Sequence, residues 1–294
     1  VVCRRQRQMC IRDRSNADAA RMALQAGLQL ELPNNFGFQH LPALLRNGQV
    51  SMTKIEEAVR AVLSLKFNLG LFEAPFELDQ EKALSYSRSE KAVQLCRKAA
   101  RQSIVLLRND NGILPLEKNA YKTIAVIGPN AKVCRLGNYS GRPLKTVSVY
   151  EGIKKYLGGA FKVLFAEGCK IAHNDTGDSY SNWRYVNEVE YATIEENRML
   201  ISEAVRVDSQ ADLVVLAIGE SVLLSREAWG GNHVGDRSTL DLTESQEELA
   251  RSILQTGKPV IAFLNHSKPV TLGGLGDKFD AILAAHYAGQ ETGT

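Results

Sequence analysis

The second half of the chain alternates short apolar runs with helical patterns, and this alternation limits the possible folds more than any other feature. Five runs read as strands, at 123–127, 162–166, 213–218, 259–264 and 281–285. Helical periodicity lies between them, at 149–157, 195–207 and 243–256. Strands that are apolar along their whole length need cover on both faces, as in parallel sheets between helices. The pattern therefore predicts an α/β fold with a mostly parallel sheet.

The first half of the chain has a different rhythm, with helical patterns at 16–27, 40–47, 51–70 and 89–107. Glycines at positions 27, 48 and 70 stand where helices commonly end. Residues 28–32 alternate apolar and polar side chains before Pro33, which predicts a short strand. The change of rhythm predicts a first region over 16–108, a linker over 109–117 and a second domain over 118–294.

The charge of the chain is concentrated at its start. Residues 1–15 hold five arginines and one aspartate, a charge of +4, so the net charge of +3 leaves −1 for the rest. This segment lacks periodicity and helix caps, and we predict that it is non-native or disordered. The nearly neutral remainder argues against nucleic acid as a partner. No apolar run reaches the ~18 residues of a membrane span, so no membrane insertion is expected.

The loop after the strand at 213–218 is the strongest candidate for a functional site. It contains Glu220, Glu227, Trp229 and Arg237 among several glycines. Polar side chains on a loop held by a rigid scaffold are where binding and catalysis concentrate. In open parallel sheets, ligands bind at the carboxyl ends of the strands. We therefore expect the loops after Ile127, Ile218 and Leu264 to share one edge.

Residue patterns alone do not identify the chemistry of this loop. Gly128-Pro-Asn130 follows a strand but lacks the phosphate-binding glycine motifs, so a structural turn is favoured. The histidines and the five cysteines have no metal-ligand spacing, and no metal or cofactor is expected. Glycoside hydrolysis usually needs two carboxyl groups beside the scissile bond, yet a glutamate on a loop is most often solvated and inert.

An ordered series of segments resembles glycoside hydrolase family 3, in particular its periplasmic β-glucosidase-like branch. The series covers about residues 16 to 294 and is specific through its order and spacing. Its members are AARMALQAG at 19–27, AVLSLKFNLGLF at 61–72, SIVLLRN at 103–109, TIAVIGPNA at 123–131, ADLVVLAIGE at 211–220, DRSTLDL at 236–242, GKPV at 257–260 and YAGQE at 287–291.

The resemblance implies a (β/α)8-like barrel followed by an α/β sandwich. Residues 16–108 would then be the tail of the barrel, and 118–294 most of the sandwich with an incomplete C-terminus. The nucleophile of the family is an aspartate in a Ser-Asp-Trp or Ser-Asp-His motif just before the segment matching 17–27. Here CIRDRS occupies residues 10–15, and the role is not carried over to Asp13.

The resemblance also assigns roles within the candidate loop. Ser225-Arg-Glu-Ala228 matches the acid/base segment of the branch, so Glu227 is the expected proton donor, with Glu220 as the runner-up. Trp229 is a candidate for stacking on a sugar, with a packing role as the alternative. Arg237 is expected to pair with Asp236 and is a second candidate for substrate contact. A third is Glu31, because Leu30-Glu-Leu-Pro33 matches the end of the last barrel strand.

The implied activity is hydrolysis of terminal, non-reducing β-D-glucosidic bonds by a retaining mechanism in a full-length parent. The substrate would be an oligosaccharide or another β-glucoside, and no cofactor is needed. This chain would supply the acid/base loop but not the nucleophile, and by itself is expected to be inactive. The alternatives are a β-xylosidase or other exo-β-glycosidase, and a non-catalytic carbohydrate-binding or degenerate protein. The branch implies a periplasmic or secreted location.

Overall fold

The computed structural model describes residues 15–73, 79–117, 120–137, 140–178, 180–182, 186, 188–226 and 237–294. The predicted non-native or disordered segment at 1–15 falls outside this range except for Ser15. The chain divides into two compact units, residues 1–84 and 85–294. Each unit has its own hydrophobic core. The predicted linker at 109–117 and the domains on either side of it remain predictions.

The first unit is helical. Its helices are α1 (Asn16–Gln25), a short 3-10 helix (Phe38–His40), α2 (Leu41–Arg46) and α3 (Met52–Asn68), and α4 (Gln80–Ser87) spans the division between the units. Ser15 caps α1 by accepting from the backbone N–H of Asp18, and Ser51 caps α3 through Lys54. Four buried side chains form the core of this unit: Ala20, Leu24, Leu44 and Val50.

Helix α3 buries none of its residues fully, although its sequence carries a clear apolar stripe. Val59, Leu63 and Phe67 are 50%, 41% and 57% exposed. Apolar side chains at this spacing normally cover a core. The apolar face of α3 is therefore larger than the area that the small core of the first unit covers.

The second unit is built on a six-stranded sheet with the order β1-β6-β5-β4-β2-β3. Its strands are β1 (Ile104–Arg108), β2 (Thr123–Ile127), β3 (Lys162–Ala166), β4 (Leu213–Gly219), β5 (Val260–Asn265) and β6 (Ala281–Ala285). Four of the five strand pairs are parallel, and only β1 with β6 is antiparallel. The predicted α/β fold with a mostly parallel sheet is confirmed.

Helices cover the sheet on both faces, as the apolar strands require. Helices α5 (Glu90–Ser103), α6 (Val149–Leu157), α7 (Ile194–Asp208) and α8 (Glu244–Leu254) belong to this unit. Alternate residues of a strand point to opposite faces. Val214, Leu216 and Ile218 join a core with α7 and α8, whereas Leu213 and Val215 join a second core with Val149 at the start of α6.

Two sequence-based elements are wrong. The helix predicted over 89–107 ends at Ser103, and Ile104–Arg108 forms β1 instead. The side chains of Ile104–Leu107 suit either state, and the pairing with β6, far along the sequence, selects the strand. The strand predicted at 28–32 does not form, because the described residues offer it no partner strand.

Candidate functional site

The carboxyl ends of the parallel strands meet at one edge of the sheet. Ile127 of β2 aligns with Leu216 of β4, and Gly219 of β4 aligns with Asn265 of β5. Backbone hydrogen bonds continue beyond the strands, from Glu220 N–H to the Asn265 carbonyl at 2.8 Å. The prediction that the loops after β2, β4 and β5 share an edge is confirmed.

Two glycines at this edge allow the neighbouring backbones to approach closely. Gly128 has φ +124°, and a Cβ there would lie 2.2 Å from the Ala217 carbonyl oxygen. Gly219 has φ +134°, and its Cβ would lie 2.0 Å from the Asn265 carbonyl oxygen. Only glycine fits such positions. Gly128-Pro-Asn130 is therefore a structural turn, as the sequence favoured.

Glu220, the runner-up acid/base candidate, is buried and bound to the loop after β5. Its Oε2 accepts hydrogen bonds from Ser267 N at 3.0 Å, Lys268 N at 3.1 Å and Ser267 Oγ at 3.3 Å. Its relative exposure is 5%. These three donors, all on residues 267 and 268, tie the carboxylate to the loop after β5. This geometry suits an anchor between two loops.

The seven residues 220–226 form a buried turn, and we refer to them below as the anchor turn. Every one of them is buried. Ser221 organises the turn, because its carbonyl oxygen accepts from Leu224 N at 3.0 Å and from Ser225 N at 3.1 Å. Burial of apolar side chains such as Leu223 then holds the turn against the sheet. The loop that contains the acid/base candidate therefore begins at a buried, hydrogen-bonded turn.

A buried ion pair lies beside the anchor turn. Arg135 is 3% exposed, and its Nη1 lies 2.8 Å from the Asp175 carboxylate. Its Nε donates to Asn130 Oδ1 at 2.8 Å, and Nη1 also reaches Ser221 Oγ at 3.4 Å. One guanidinium therefore joins the loop after β2, the segment around Asp175 and the anchor turn.

The surroundings of Asp175 keep it ionised. Burial alone favours the neutral form, but the charge of Arg135 and hydrogen bonds from Gly177 and Asn182 outweigh it, and the pKa lies below its ordinary 3.8. The Asn182 amide donates to Asp175 Oδ1 at 2.6 Å. Asp175 is therefore an anion at neutral pH, matched to the Arg135 cation.

Arg226, the last residue of the anchor turn, is 1% exposed. Its Nη1 donates to the Asn182 carbonyl at 3.5 Å, the longest contact of this group. The Asn182 side chain is in turn fixed by Thr176, whose Oγ1 donates to Asn182 Oδ1 at 2.8 Å. The polar contacts thus continue from Arg135 through Asp175 and Asn182 to the residue before Glu227.

Two more side chains near this edge, those of His266 and Tyr287, have shifted pKa values. Burial lowers the pKa of His266, although the Lys268 carbonyl, 2.8 Å from its Nδ1, partly opposes this. Its ring lies 4.2 Å from that of His286. Burial raises the pKa of Tyr287 to about 12. Both side chains are therefore neutral at neutral pH, and neither changes charge there.

The structure describes only part of the predicted site set. Glu227, Trp229 and Asp236 lie outside the described residues, so the predicted Asp236–Arg237 ion pair does too. Arg237 is half-buried, and its Nη2 donates to the Asp241 carbonyl. This contact holds the end of the loop to the chain just before α8.

Glu31 caps a local turn in the first unit. Its carboxylate accepts from Phe38 N at 2.7 Å and from Gly37 N at 3.0 Å and 3.1 Å. These donors stand at the start of the 3-10 helix, where free N–H groups favour an anion. Its role as a substrate contact remains a prediction.

Sequence reasoning missed the polar group around Arg135 and Asp175. These two residues are 40 positions apart and lie in loops without periodicity. Asn130 and Arg226 stood in motifs that the sequence analysis named, at the Gly-Pro-Asn turn and the Ser225–Ala228 segment. Nothing in a single sequence links an isolated arginine to an aspartate on another loop.

Among the described residues, no group of three or more histidine, cysteine or acidic side chains could hold a metal ion. Within the same residues, no helix is long and apolar enough to cross a membrane.

Comparison with known proteins adds a family and several relatives. A family model described as the glycosyl hydrolase family 3 C-terminal domain matches residues 104–294. A periplasmic β-glucosidase of Salmonella typhimurium is 34% identical over 94% of this chain and 36% of its own length. A β-xylosidase of Formosa agariphila is 32% identical over 95% of this chain and 37% of its own length.

A solved structure of a β-glucosidase is also similar to this chain. The structure of a β-glucosidase from Erythrobacter marinus matches with a TM-score of 0.87 and 37% identity, over 98% of this chain and 38% of that one. The chain therefore spans somewhat more than a third of the length of these relatives.

Proposed function

Because this chain belongs to glycoside hydrolase family 3, we propose that its full-length parent hydrolyses terminal, non-reducing β-D-glucosidic bonds with retention of configuration. The observation that carries the proposal is the anchor turn, which holds the residue before Glu227 at the carboxyl edge of the parallel sheet. Ligands of open α/β sheets usually bind at that edge. The names of the Salmonella and Erythrobacter relatives support a β-glucoside as the substrate.

Glu227 is the proposed proton donor and, in the second step, the proton acceptor. A retaining glycosidase needs one carboxyl group to protonate the leaving oxygen and another to attack the anomeric carbon. The donor must carry a proton at working pH, which requires a raised pKa. Glu220 fits this role less well, because its Oε2 already accepts three hydrogen bonds from the loop after β5.

The nucleophile is proposed to lie in the parent outside this chain, in the aspartate motif that the family has before the segment matching residues 17–27. Asp13 is not assigned that role. We propose that the region 16–108 derives from the end of the family's barrel and 118–294 from its sandwich domain. The exposed apolar stripe of α3 supports the barrel origin, because such a stripe calls for a covering layer.

Trp229, Arg237 and Glu31 remain proposed substrate contacts. Trp229 offers an aromatic face for a sugar ring, and Arg237 sits at the far end of the same loop. The Glu31 carboxylate accepts backbone hydrogen bonds from Gly37 and Phe38, which fix its position in the first unit.

A β-xylosidase is the second candidate, favoured by the Formosa relative at 32% identity. The two sugars differ only by the hydroxymethyl group of glucose. Comparing kcat/KM of the parent on the aryl β-glucoside and the aryl β-xyloside with the same leaving group separates the candidates. The hydrolase names of the relatives do not favour the non-catalytic alternative.

The role of Glu227 is tested by Glu227→Gln in the full-length parent, with a methyl and a dinitrophenyl β-glucoside as substrates. A poor alkoxide leaving group needs protonation, whereas dinitrophenolate does not. We expect kcat/KM on the methyl glucoside to fall by about 10²-fold or more, and on the dinitrophenyl glucoside by far less.

Glu220→Gln is the matched control, because it changes the other glutamate of the same loop. We expect it to lower the rate on the methyl glucoside far less than Glu227→Gln does, because Glu220 anchors the loop and does not donate the proton. Wild-type activity of Glu227→Gln on the methyl glucoside would reject the assignment. A large selective loss in Glu220→Gln, together with wild-type activity of Glu227→Gln, would transfer the role to Glu220.

A further inference from the structure

The anchor turn is held at both of its ends by buried polar contacts. At its start, Glu220 accepts from the loop after β5, and Ser221 Oγ lies 3.4 Å from Arg135 Nη1. At its end, Arg226 donates to the Asn182 carbonyl. Glu227 follows Arg226 directly in the sequence. These contacts therefore fix the point from which the chain enters residue 227.

A second layer of contacts fixes Asn182. Its amide donates to Asp175 Oδ1 at 2.6 Å and accepts from Thr176 N at 3.1 Å. Asp175 is in turn paired with Arg135. The relative exposures of Arg135, Asn182 and Arg226 are 3%, 0% and 1%. Burial and hydrogen bonding together restrict the arrangements that these three side chains can adopt.

Stability alone gives little reason for such a group. A buried ion pair is often no more stabilising than apolar side chains of the same volume. What a buried polar network adds is a preferred arrangement of the groups that it joins. Here the joined segments are the loop after β2, the residues around 175–182 and the anchor turn.

We propose that Arg135, Asp175 and Asn182 are positioning residues for proton donation, acting through Arg226 on the placement of the residue that follows it. The inference rests on the proposed function, in which that residue is the acid/base. Proton transfer needs the donor within hydrogen-bond reach of the leaving oxygen. A displacement of about 1 Å far from the reacting atoms can cost about 10²-fold in rate.

The test uses Asn182→Ala in the full-length parent, with the methyl and dinitrophenyl β-glucosides. This variant removes the amide that joins Asp175 to the segment, and it leaves every charge in place. We expect kcat/KM on the methyl glucoside to fall about 10-fold or more, and on the dinitrophenyl glucoside less than about 3-fold. A general loss of folded enzyme lowers both by the same factor.

Arg135→Lys is the second variant, for the case in which Asn182→Ala does not fold. It keeps the charge beside Asp175 but loses the fork that reaches Asn130 and Ser221 at once. The same selective loss on the methyl glucoside is expected. Ile253→Val is the matched control, because Ile253 is fully buried in the hydrophobic core and is not a member of the group.

Equal losses on both substrates in Asn182→Ala and Arg135→Lys, when Glu227→Gln shows the selective loss, would overturn the positioning role and leave the proposed function intact. No selective loss in Glu227→Gln itself would reject the proposed function first. A selective loss in Ile253→Val would also overturn the inference, because any weakening of the domain would then produce the signature.

Discussion

At the scale of single residues, the described edge of the sheet contains charged groups that are matched to each other. Arg135 is paired with Asp175, and Glu220 accepts hydrogen bonds from the N–H groups of Ser267 and Lys268. Each of these charged side chains therefore has a partner. These charged side chains therefore hold neighbouring loops together. The proton transfer of the proposed mechanism is left to Glu227.

The ion pair makes a prediction about acid stability. The folded-state pKa of Asp175 is below its ordinary 3.8, so its contribution is complete above pH 3.8 and is lost as pH falls through the folded value. Asp175→Asn should lower the free energy of unfolding at neutral pH by about 3–5 kcal/mol, because Arg135 is left buried and unpaired. Below pH 3.8, the variant should lose stability less steeply than wild type.

Urea unfolding at a series of pH values measures both effects. His266 provides an internal reference, because its pKa is also lowered and its loss of stability begins as pH falls below 6.5. That earlier loss should be the same in wild type and variant. Parallel curves for the two proteins below pH 3.8 would show that Asp175 does not carry the acid sensitivity.

At the scale of secondary structure, the strands of the sheet were predictable, and β1 was not. Strands β2, β3 and β6 match the predicted runs residue for residue. Each is apolar on both faces and is followed by a different pattern, so local sequence suffices. Strand β1 depends on a partner about 180 positions away, at 281–285. Local periodicity cannot predict a pairing with so distant a segment.

The same limit applies to the site. The shared edge follows from parallel strands, and the sequence predicted it. The Arg135 group depends on contacts between loops that have no regular pattern, and the position of Glu31 depends on a local cap. Only the family resemblance identified Glu227 as the acid/base candidate. Spacing and composition do not distinguish it from other glutamates in loops.

Glycine at the strand ends gives a prediction at this scale. Gly219→Ala should lower the free energy of unfolding by more than about 3 kcal/mol, because its Cβ would meet the Asn265 carbonyl at 2.0 Å and the backbone has positive φ. Gly257→Ala is the matched control, with φ +75° and no atom within 4 Å of the new Cβ.

The control should cost only about 1–2 kcal/mol, which is the dihedral penalty alone. Thermal or urea unfolding of both variants measures the difference. Equal losses would mean that the close approach of β4 to Asn265 does not constrain position 219.

At the scale of the whole molecule, the chain combines a well-covered sheet with a helical unit whose core is small. The sheet has a buried core on each face, whereas the helical unit buries only four apolar side chains among its described residues. The chain also spans little more than a third of its relatives. Both facts agree with the proposal that the two catalytic carboxylates belong to different parts of a longer parent.

A double-mutant cycle can show whether the buried group at the sheet edge acts on catalysis through Glu227. The measurement is kcat/KM on methyl β-glucoside for the wild-type parent, Asn182→Ala, Glu227→Gln and the double variant. If Asn182 only positions the proton donor, its replacement has little further effect once Glu227 is glutamine. We expect Asn182→Ala to lower the rate about 10-fold or more in the wild-type background and less than about 2-fold in Glu227→Gln. Full multiplication of the two losses would contradict this expectation.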